Sequence, residues 1–339
     1  MEEHQQNNNR IEDDFMSVDC IDKNDPSAQT VDTVGQSHVI VDDLVTGTVD
    51  ILRSIMTSSK DNNIKMLVFF PTTAMVSFFA KLFNFGMGIP PYVLEIHSGK
   101  TQEYRTTVSD RFRGLQRGSL FSSDVSARGI DYPNVTHVVQ IGLPPSKEAY
   151  IHRLGRTGRG IKKEEVHNQG ILVLTKTERN FLSTQLKDIS VPNNTKLQQL
   201  IVHGRNKDND NKKASSHHQK LEKVLDSISN GTNDLLVKAA RDAYLSVLGY
   251  YLGKLTKKNI GLKDGGNKKV VEFANTLAKQ MGLKDIPTIP RKSAWNMGMD
   301  RSSGITVESI HEERQYHRQN RRQKHRNRQL FSSPKKKKF

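Results

Sequence analysis

Short apolar runs alternate with stretches of helical period between residues 65 and 174, and this alternation restricts the possible folds more than any other feature. The runs are Lys65–Phe70, Tyr92–Ile96, Gly118–Phe121, Thr136–Ile141 and Gly170–Leu174. Between them, apolar residues recur with helical spacing in 74–85 and 102–115. Strands that alternate with helices favour a parallel sheet with helices on both faces. We therefore predict one α/β domain over residues 36–190.

The remaining sequence divides into four segments that differ in composition and in apolar periodicity. Residues 1–35 are acidic and aperiodic, and we expect a disordered segment or linker remnant there. Polar residues without apolar period, densest in His203–Lys220, predict a linker over 191–224. Helical patterns return in 225–300, which predicts a small helical domain. Residues 301–339 are rich in Arg and Lys and predict a basic disordered tail.

Two details refine the helical domain. Apolar residues repeat at helical spacing before Gly282, which is placed to end that helix in a left-handed conformation. Tyr244, Tyr250 and Tyr251 lie on a long apolar helix, and aromatic residues at such spacing usually belong to a core. Trp295 follows the last predicted helix. It could pack on this domain or stack on a nucleic-acid base, and both readings stay open.

The charge balance narrows the class of partner. Lys and Arg number 52 against 36 for Asp and Glu, which gives a net charge of +16. Such an excess favours a polyanion, with nucleic acid as the first candidate. The one cysteine, Cys20, excludes an internal disulfide framework and a Cys-rich zinc site. No apolar run reaches the length of a membrane span, so we expect no membrane partner.

The segment Tyr150–Gly160, YIHRLGRTGRG, concentrates positive charge. Ser146 can cap a helix that leads into this segment. Three arginines, Arg153, Arg156 and Arg159, lie within seven residues and are separated by glycines that permit close approach of a ligand. Guanidinium groups stabilise the charge of a phosphoryl group in transfer. The alternative reading is a solvated basic helix.

The segment Ser122–Val135, SSDVSARGIDYPNV, follows a predicted strand. Small residues at a strand end expose backbone N–H groups to a phosphate, and Asp131 can accept from a ribose hydroxyl. Taken alone, this segment is better interpreted as a loop that contains a salt bridge. Its pairing with the basic segment about twenty residues later favours a nucleotide site.

Several motifs together resemble one family. SARGID and HRLGRTGR resemble the fifth and sixth motifs of the DEAD-box RNA helicases, within their second RecA-like domain. MLVFFPTT, from Met66 to Thr73, resembles the fourth motif. HSGKTQEYR, from His97 to Arg105, resembles the H-G-x-x-x-Q-x-x-R element, with Ser98 where glycine is usual. The motifs follow the family's order over about 36–185. The helical region and basic tail resemble the mitochondrial Mss116/CYT-19-like subgroup.

The resemblance implies roles for individual residues. It assigns Arg156 and Arg159 as arginine fingers on the ATP γ-phosphate, and Asp131 to the ATP ribose. His152 would couple the nucleotide and RNA sites, and Gly129 would contact both ligands. The residues implied to grip the RNA backbone, independently of base sequence, are Thr72, Gly99, Gln102, Arg105, Ser123 and Gly129. ATP with Mg²⁺ is the implied cofactor.

Two elements of an ATP-hydrolysing site are missing from the sequence. It contains neither a G-x-x-x-x-G-K-[ST] loop for the phosphates nor a DEAD sequence for Mg²⁺. We therefore expect a first RecA-like domain, in cis or in trans, to hold ATP and Mg²⁺, and we expect the chain alone to lack RNA-stimulated ATPase activity. The alternatives are a non-catalytic RNA-binding or annealing protein, and one half of a split enzyme.

Two features concern the cell compartment and metals. The resemblance points to the mitochondrial matrix, whereas Lys335–Lys338 could be a nuclear or nucleolar signal, or an electrostatic tether for RNA. His217 and His218 are adjacent, but no third ligand lies near them in the sequence. We therefore expect no metal site.

Overall fold

Six strands form one parallel sheet. The computed structural model describes residues 34–57, 63–88, 92–124, 132–157, 169–206, 216–253, 266–299 and 304–309, without the side chains of 202–206. The strands are β1 (Gly35–Val41), β2 (Lys65–Phe69), β3 (Leu94–Ile96), β4 (Gly118–Ser122), β5 (His137–Ile141) and β6 (Gln169–Thr175). Their order across the sheet is β1-β6-β5-β2-β4-β3, and every neighbouring pair is parallel. The predicted parallel sheet is confirmed.

Helices connect the strands and continue beyond them. They are α1 (Leu44–Met56), α2 (Thr73–Lys81), α3 (Gln102–Gly114), α4 (Lys147–Leu154), α5 (Asn180–Thr184), α6 (Thr195–Asn206), α7 (Ser216–Ser229), α8 (Asp234–Gly253), α9 (Gly266–Gln280) and α10 (Arg291–Asn296). A π-helical segment, Leu82–Met87, continues α2. Strand β1 and helix α1 were absent from the sequence prediction. No helix within the described residues is long and apolar enough to span a bilayer.

The two faces of the sheet carry different helices. On one face, Phe112 of α3 joins an apolar cluster with Leu67 and Phe69, and Leu154 of α4 lies against Gly170. On the other face, α1 packs on β1, and Phe79 of α2 stacks on the Phe70 ring with centroids 4.9 Å apart. Because both faces are covered, every residue of β2, β4 and β5 is buried.

The tyrosines of α8 join the helical region to the sheet. Tyr244, Tyr250 and Tyr251 are buried, so the prediction that they are core residues is confirmed. The Tyr250 hydroxyl donates to the Leu143 carbonyl at 3.0 Å, and the Tyr251 hydroxyl donates to Glu178. Glu178 is fully buried beyond β6, and this desolvation raises the pKa of its carboxyl group. The helical region is therefore part of the same packed structure as the sheet.

The expected polar linker 191–224 differs in the structure, because it contains α6 and the beginning of α7. Ile201 of α6, and Leu221 and Ile228 of α7, bury their side chains and so stabilise helices whose other faces are polar. Sparse apolar positions were hidden by the surrounding Asn, Lys and His residues.

Two predictions about the helical region, the helix end at Gly282 and the disordered tail after residue 301, have different outcomes. Gly282 has φ +84° and closes α9, as predicted, with the Leu283 N–H donating to the Ala278 carbonyl. Past residue 301, where we expected no folded structure, Ile305 is buried and Val307 pairs with Ile289. That part of the prediction is wrong for 304–309. Residues 1–33 and 310–339 lie outside the described ranges.

Candidate functional site

Three neighbouring strands end at one edge of the sheet. Ser122 of β4 is in register with Phe69 of β2 and with Ile96 of β3. The residues that follow these strands, including Thr72, Ser123 and Gly99, therefore emerge side by side. The carboxyl edge of a parallel sheet is the usual place for a ligand.

Two helices begin at this carboxyl edge. The Thr72 hydroxyl oxygen accepts from Met75 N at 3.2 Å and caps α2, and the Thr101 hydroxyl oxygen caps α3 through Tyr104 N at 3.2 Å. The positive ends of both helix dipoles thus lie beside the strand ends, which favours an anion. Thr72 is buried, so its hydroxyl serves the helix cap besides any contact with a ligand.

Buried polar atoms at the same edge have unused hydrogen-bonding capacity. Ser123 Oγ and Arg105 Nε have no hydrogen-bond partner among the described residues. A buried donor without a partner costs roughly 1–3 kcal/mol, so such groups usually mark a place where a ligand or water completes the site. Gln102 is exposed one helical turn before Arg105. This edge therefore offers unpartnered buried polar atoms of Ser123 and Arg105.

His97 fixes the turn that carries Gly99. Its Nε2 lies 3.0 Å from Ser77 Oγ, and its Nδ1 accepts from Gly99 N at 3.2 Å. Burial lowers the pKa of His97, so the imidazole is neutral and can accept this bond. Glu95 forms an ion pair with Lys100, and its other carboxylate oxygen lies 3.4 Å from Ser77 Oγ and 3.8 Å from His97 Nε2. Ser77 was not identified from the sequence, because helix α2 meets β3 only in the fold.

The end of α4 carries the predicted basic segment. Ser146 caps this helix through Ala149 N at 3.2 Å, as predicted. His152 is exposed and Arg156 is half-buried, with Arg156 Nε donating to the His152 carbonyl at 3.3 Å. The Thr157 hydroxyl donates to the Val135 carbonyl at 2.5 Å, which ties the segment to the chain just before β5. Three residues implied by the resemblance lie outside the described ranges: Gly129, Asp131 and Arg159.

Arg153 differs from the sequence prediction. We expected it to join Arg156 in one dense positive site for a ligand, but it is fully buried and pairs with Asp124 at 2.7 Å. Its guanidinium lies 5.3 Å from the centre of the Phe69 ring. The expectation is wrong because Arg153 lies on the inward face of α4, whereas Arg156 lies beyond the end of the helix.

The structure separates the predicted residues into two places. Thr72, Gly99, Gln102, Arg105 and Ser123 gather at the carboxyl edge of β2, β4 and β3. Arg156 lies near the amino end of β5, because α4 runs back along that strand. The predicted residues that the structure describes therefore fall in two groups, one at this carboxyl edge and one just after α4.

A cavity of about 340 Å³ lies elsewhere, between the ends of β1 and β6 and helix α9. The Lys176 ammonium at its rim pairs with Asp42 at 2.7 Å. β1 and β6 are at the opposite side of the sheet from β4 and β3. The cavity therefore does not include the predicted RNA-gripping residues.

Parts of the chain are similar to a known protein family and to individual known proteins. Residues 47–160 match the model of the helicase conserved C-terminal domain. The chain is 34% identical over 250 residues to the mitochondrial ATP-dependent RNA helicase cyt-19 of Neurospora crassa, which covers 72% of this chain and 36% of the relative. It is 33% identical over 286 residues to the mitochondrial ATP-dependent RNA helicase mss116 of Aspergillus oryzae, covering 84% and 41%.

A plant relative gives a similar result. DEAD-box ATP-dependent RNA helicase 31 of Oryza sativa subsp. japonica is 36% identical over 281 residues, which cover 82% of this chain and 45% of that protein. The chain thus spans less than half the length of these relatives.

Solved structures show the same fold. Mss116p DEAD-box helicase domain 2 bound to an RNA duplex has a TM-score of 0.58 and 23% identity, and the match covers 79% of this chain and 95% of that chain. Mss116p bound to single-stranded RNA and AMP-PNP has a TM-score of 0.58 and 23% identity, covering 81% and 50%. The predicted RecA-like fold is therefore confirmed.

Proposed function

The chain belongs to the DEAD-box RNA helicases and contains their C-terminal helicase domain, and from this premise we propose two activities. The carboxyl edge of β2, β4 and β3 grips the RNA backbone. The segment after α4 supplies Arg156 and Arg159 to the γ-phosphate of ATP held by a first RecA-like domain. The joined domains then hydrolyse ATP and open RNA duplexes locally.

One observation carries the RNA proposal: Ser123 Oγ and Arg105 Nε are buried at the edge where two helices begin, and neither has a hydrogen-bond partner among the described residues. A phosphate oxygen accepts from a hydroxyl and from a guanidinium, and its charge is favoured at helix N-termini. Neither contact reads a base, so binding is independent of sequence. The net charge of +16 adds long-range attraction for RNA.

The nucleotide proposal is supported by the placement of Arg156. Its side chain is half-buried beside exposed His152, beyond the helix end, whereas Arg153 is held in the interior. An arginine in this position can stabilise the charge that spreads over the transferred phosphoryl group. Mg²⁺ would be held by the first domain, because this sequence lacks the phosphate loop and the DEAD sequence.

A second candidate function follows from those missing motifs. A chain without them, acting alone, would be a non-catalytic RNA-binding or annealing protein. If a separate chain supplies the first domain, the two would form a split enzyme.

Mixing the full chain with an isolated first RecA-like domain discriminates these functions. Recovery of RNA-stimulated ATPase that Arg156→Ala abolishes supports catalysis, and RNA binding without any recovered ATPase supports the non-catalytic protein.

RNA binding is tested with a hydroxyl deletion. Fluorescence anisotropy of the full chain with short labelled single-stranded RNAs of different sequence should give similar dissociation constants. Ser123→Ala should weaken binding roughly fivefold to tenfold, the value of one hydrogen bond of about 1 kcal/mol. Ser183→Ala, which removes an exposed hydroxyl on α5, is the matched control. Equal affinities for both variants would contradict the proposed edge.

For the compartment, we propose the mitochondrial matrix. Two of the relatives are named as mitochondrial, which supports this proposal. Lys335–Lys338 keeps the nucleus or nucleolus as the alternative. Imaging of the tagged full-length gene product distinguishes the two.

A further inference from the structure

Three potential metal ligands meet between helices that are distant in sequence. Asp50 belongs to α1 in the sheet domain, and His217 and His218 belong to the first turn of α7. Asp50 Oδ1 lies 3.3 Å from His217 Nε2 and 3.0 Å from His218 Nε2. The two imidazole rings are 4.1 Å apart, and the three potential ligand atoms all lie within 4.8 Å of one another.

The two distances from Asp50 Oδ1 match the edge of a metal coordination polyhedron. Tetrahedral Zn²⁺ with bonds of about 2.0–2.1 Å has ligand atoms roughly 3.3 Å apart. We propose that Asp50, His217 and His218 form a site for Zn²⁺, or for another divalent transition metal that prefers imidazole nitrogen, with water in the fourth position. The site bridges α1 and α7, so a bound ion would clamp the helical region onto the sheet domain.

The surroundings favour the ligand forms of these groups. The Asp50 side chain is only 6% exposed, and each histidine side chain is 19% exposed. A buried carboxylate needs a compensating positive charge, which a metal ion provides. Metal binding also requires neutral imidazoles.

Arg53 holds His217 in a different hydrogen-bonding arrangement from the one that a metal ion requires. Its Nη1 lies 3.2 Å from His217 Nδ1, so the guanidinium donates to this nitrogen and the ring proton is on Nε2, facing Asp50. A metal on Nε2 moves the proton to Nδ1, where it would face another donor. Arg53 is half-buried on a long side chain, and we expect it to turn away when the metal binds. Replacing it with an acceptor should therefore tighten the site.

The test uses the full chain and Zn²⁺ alone as the probe, by competition with a chromophoric chelator and by thermal unfolding. We expect one equivalent of Zn²⁺ to bind and to raise the unfolding midpoint by several degrees. His217→Gln/His218→Gln should lose this shift and bind at least roughly 100-fold more weakly. His311→Gln/His317→Gln, which removes two imidazoles from elsewhere in the sequence, should behave as wild type. Arg53→Gln should tighten binding by up to tenfold.

Two results would overturn the site: no zinc-dependent shift in the wild type, or equal zinc affinity in the wild type and the His217/His218 variant. If the double variant does not fold, His218→Gln alone keeps the Asp50–His217 contact, and unchanged zinc affinity there also overturns the site. The proposed RNA-binding edge lies at another part of the sheet. A failure of the RNA-binding proposal would therefore not affect the proposed metal site.

Discussion

Arg153 donates from Nε to Asp124 Oδ1 at 2.7 Å, and its Nη2 lies 2.7 Å from the same oxygen. Arg153 belongs to α4 and Asp124 directly follows β4, so the ion pair joins the two segments that carry the family's fifth and sixth motifs. The guanidinium is fully buried, whereas Asp124 is about half exposed. The pair thus fixes the position from which Arg156 leaves the helix.

Removing this guanidinium should destabilise the protein. Arg153→Ala loses the ion pair and the contact with the Phe69 ring and leaves a cavity, and we expect the free energy of unfolding to fall by about 2–4 kcal/mol. Arg156→Ala removes the same side chain type three residues later and should change it by less than about 0.5 kcal/mol. Urea denaturation measures both. Equal effects of the two variants would mean that Arg153 is not an interior anchor.

The two tyrosine hydroxyls at the end of α8 should contribute different amounts to the free energy of unfolding. Tyr251→Phe leaves buried Glu178 with one donor fewer, and we expect a loss of about 1–3 kcal/mol. Tyr250→Phe removes a bond to the Leu143 carbonyl and should cost about 1 kcal/mol. Chemical denaturation at neutral pH compares them. A larger cost for Tyr250→Phe would contradict the role given to Glu178 in docking this helix.

Burial of Glu178 should make stability depend on pH. Its folded-state pKa is raised above the unfolded value of about 4.3, so the folded protein holds this proton more tightly. The resulting stability is present in full below the unfolded pKa and is lost as pH rises through the folded pKa. Glu178→Gln cannot titrate, so the stability of the wild type relative to this variant should decrease with rising pH. Denaturation series from pH 4 to 8 measure this, and a relative stability that increases would refute it.

Gly282 should tolerate no side chain. Its φ is +84°, and a Cβ there would lie 2.7 Å from the Leu225 carbonyl oxygen, so Gly282→Ala should cost about 2–3 kcal/mol. Gly298 has a φ of +64° but open space around it, so Gly298→Ala should cost only the backbone strain, about 1 kcal/mol. Thermal unfolding compares the variants. Similar midpoints for both would show that α9 does not pack as described.

The sequence predicted those features that depend on local pattern. The runs at 65–69, 118–122 and 137–141 each contain consecutive apolar residues, and they became central strands whose residues are all buried. Strand β1 contains Gln36, Ser37 and His38, whose polar side chains mask a strand at the edge of the sheet. The period of α6 and α7 was likewise hidden among polar residues.

Contacts between distant segments could not be read from the sequence. Arg153 and Arg156 look equivalent in HRLGRTGR, and only the packing of α4 turns one inward. His217 and His218 acquire Asp50 from 167 and 168 residues away. The available signal was an acid at position 50 within the apolar run of α1, flanked by buried Val49 and Ile51. A buried carboxylate needs a hydrogen-bonding or positively charged partner, but the sequence pattern does not identify which residue provides it.

The salt dependence of RNA affinity for Arg105→Ala, with Arg111→Ala as control, tests the proposed RNA edge most directly. Both arginines lie on α3 and both changes remove one charge, but Arg111 is about 9 Å further along the helix axis, away from the strand ends. We expect Arg105→Ala to reduce the slope of log affinity against log salt by about 0.7, the loss of one phosphate contact on a single strand, and Arg111→Ala to leave it unchanged. Equal slopes for the two variants would contradict a phosphate-binding site at the carboxyl edge of β2, β4 and β3.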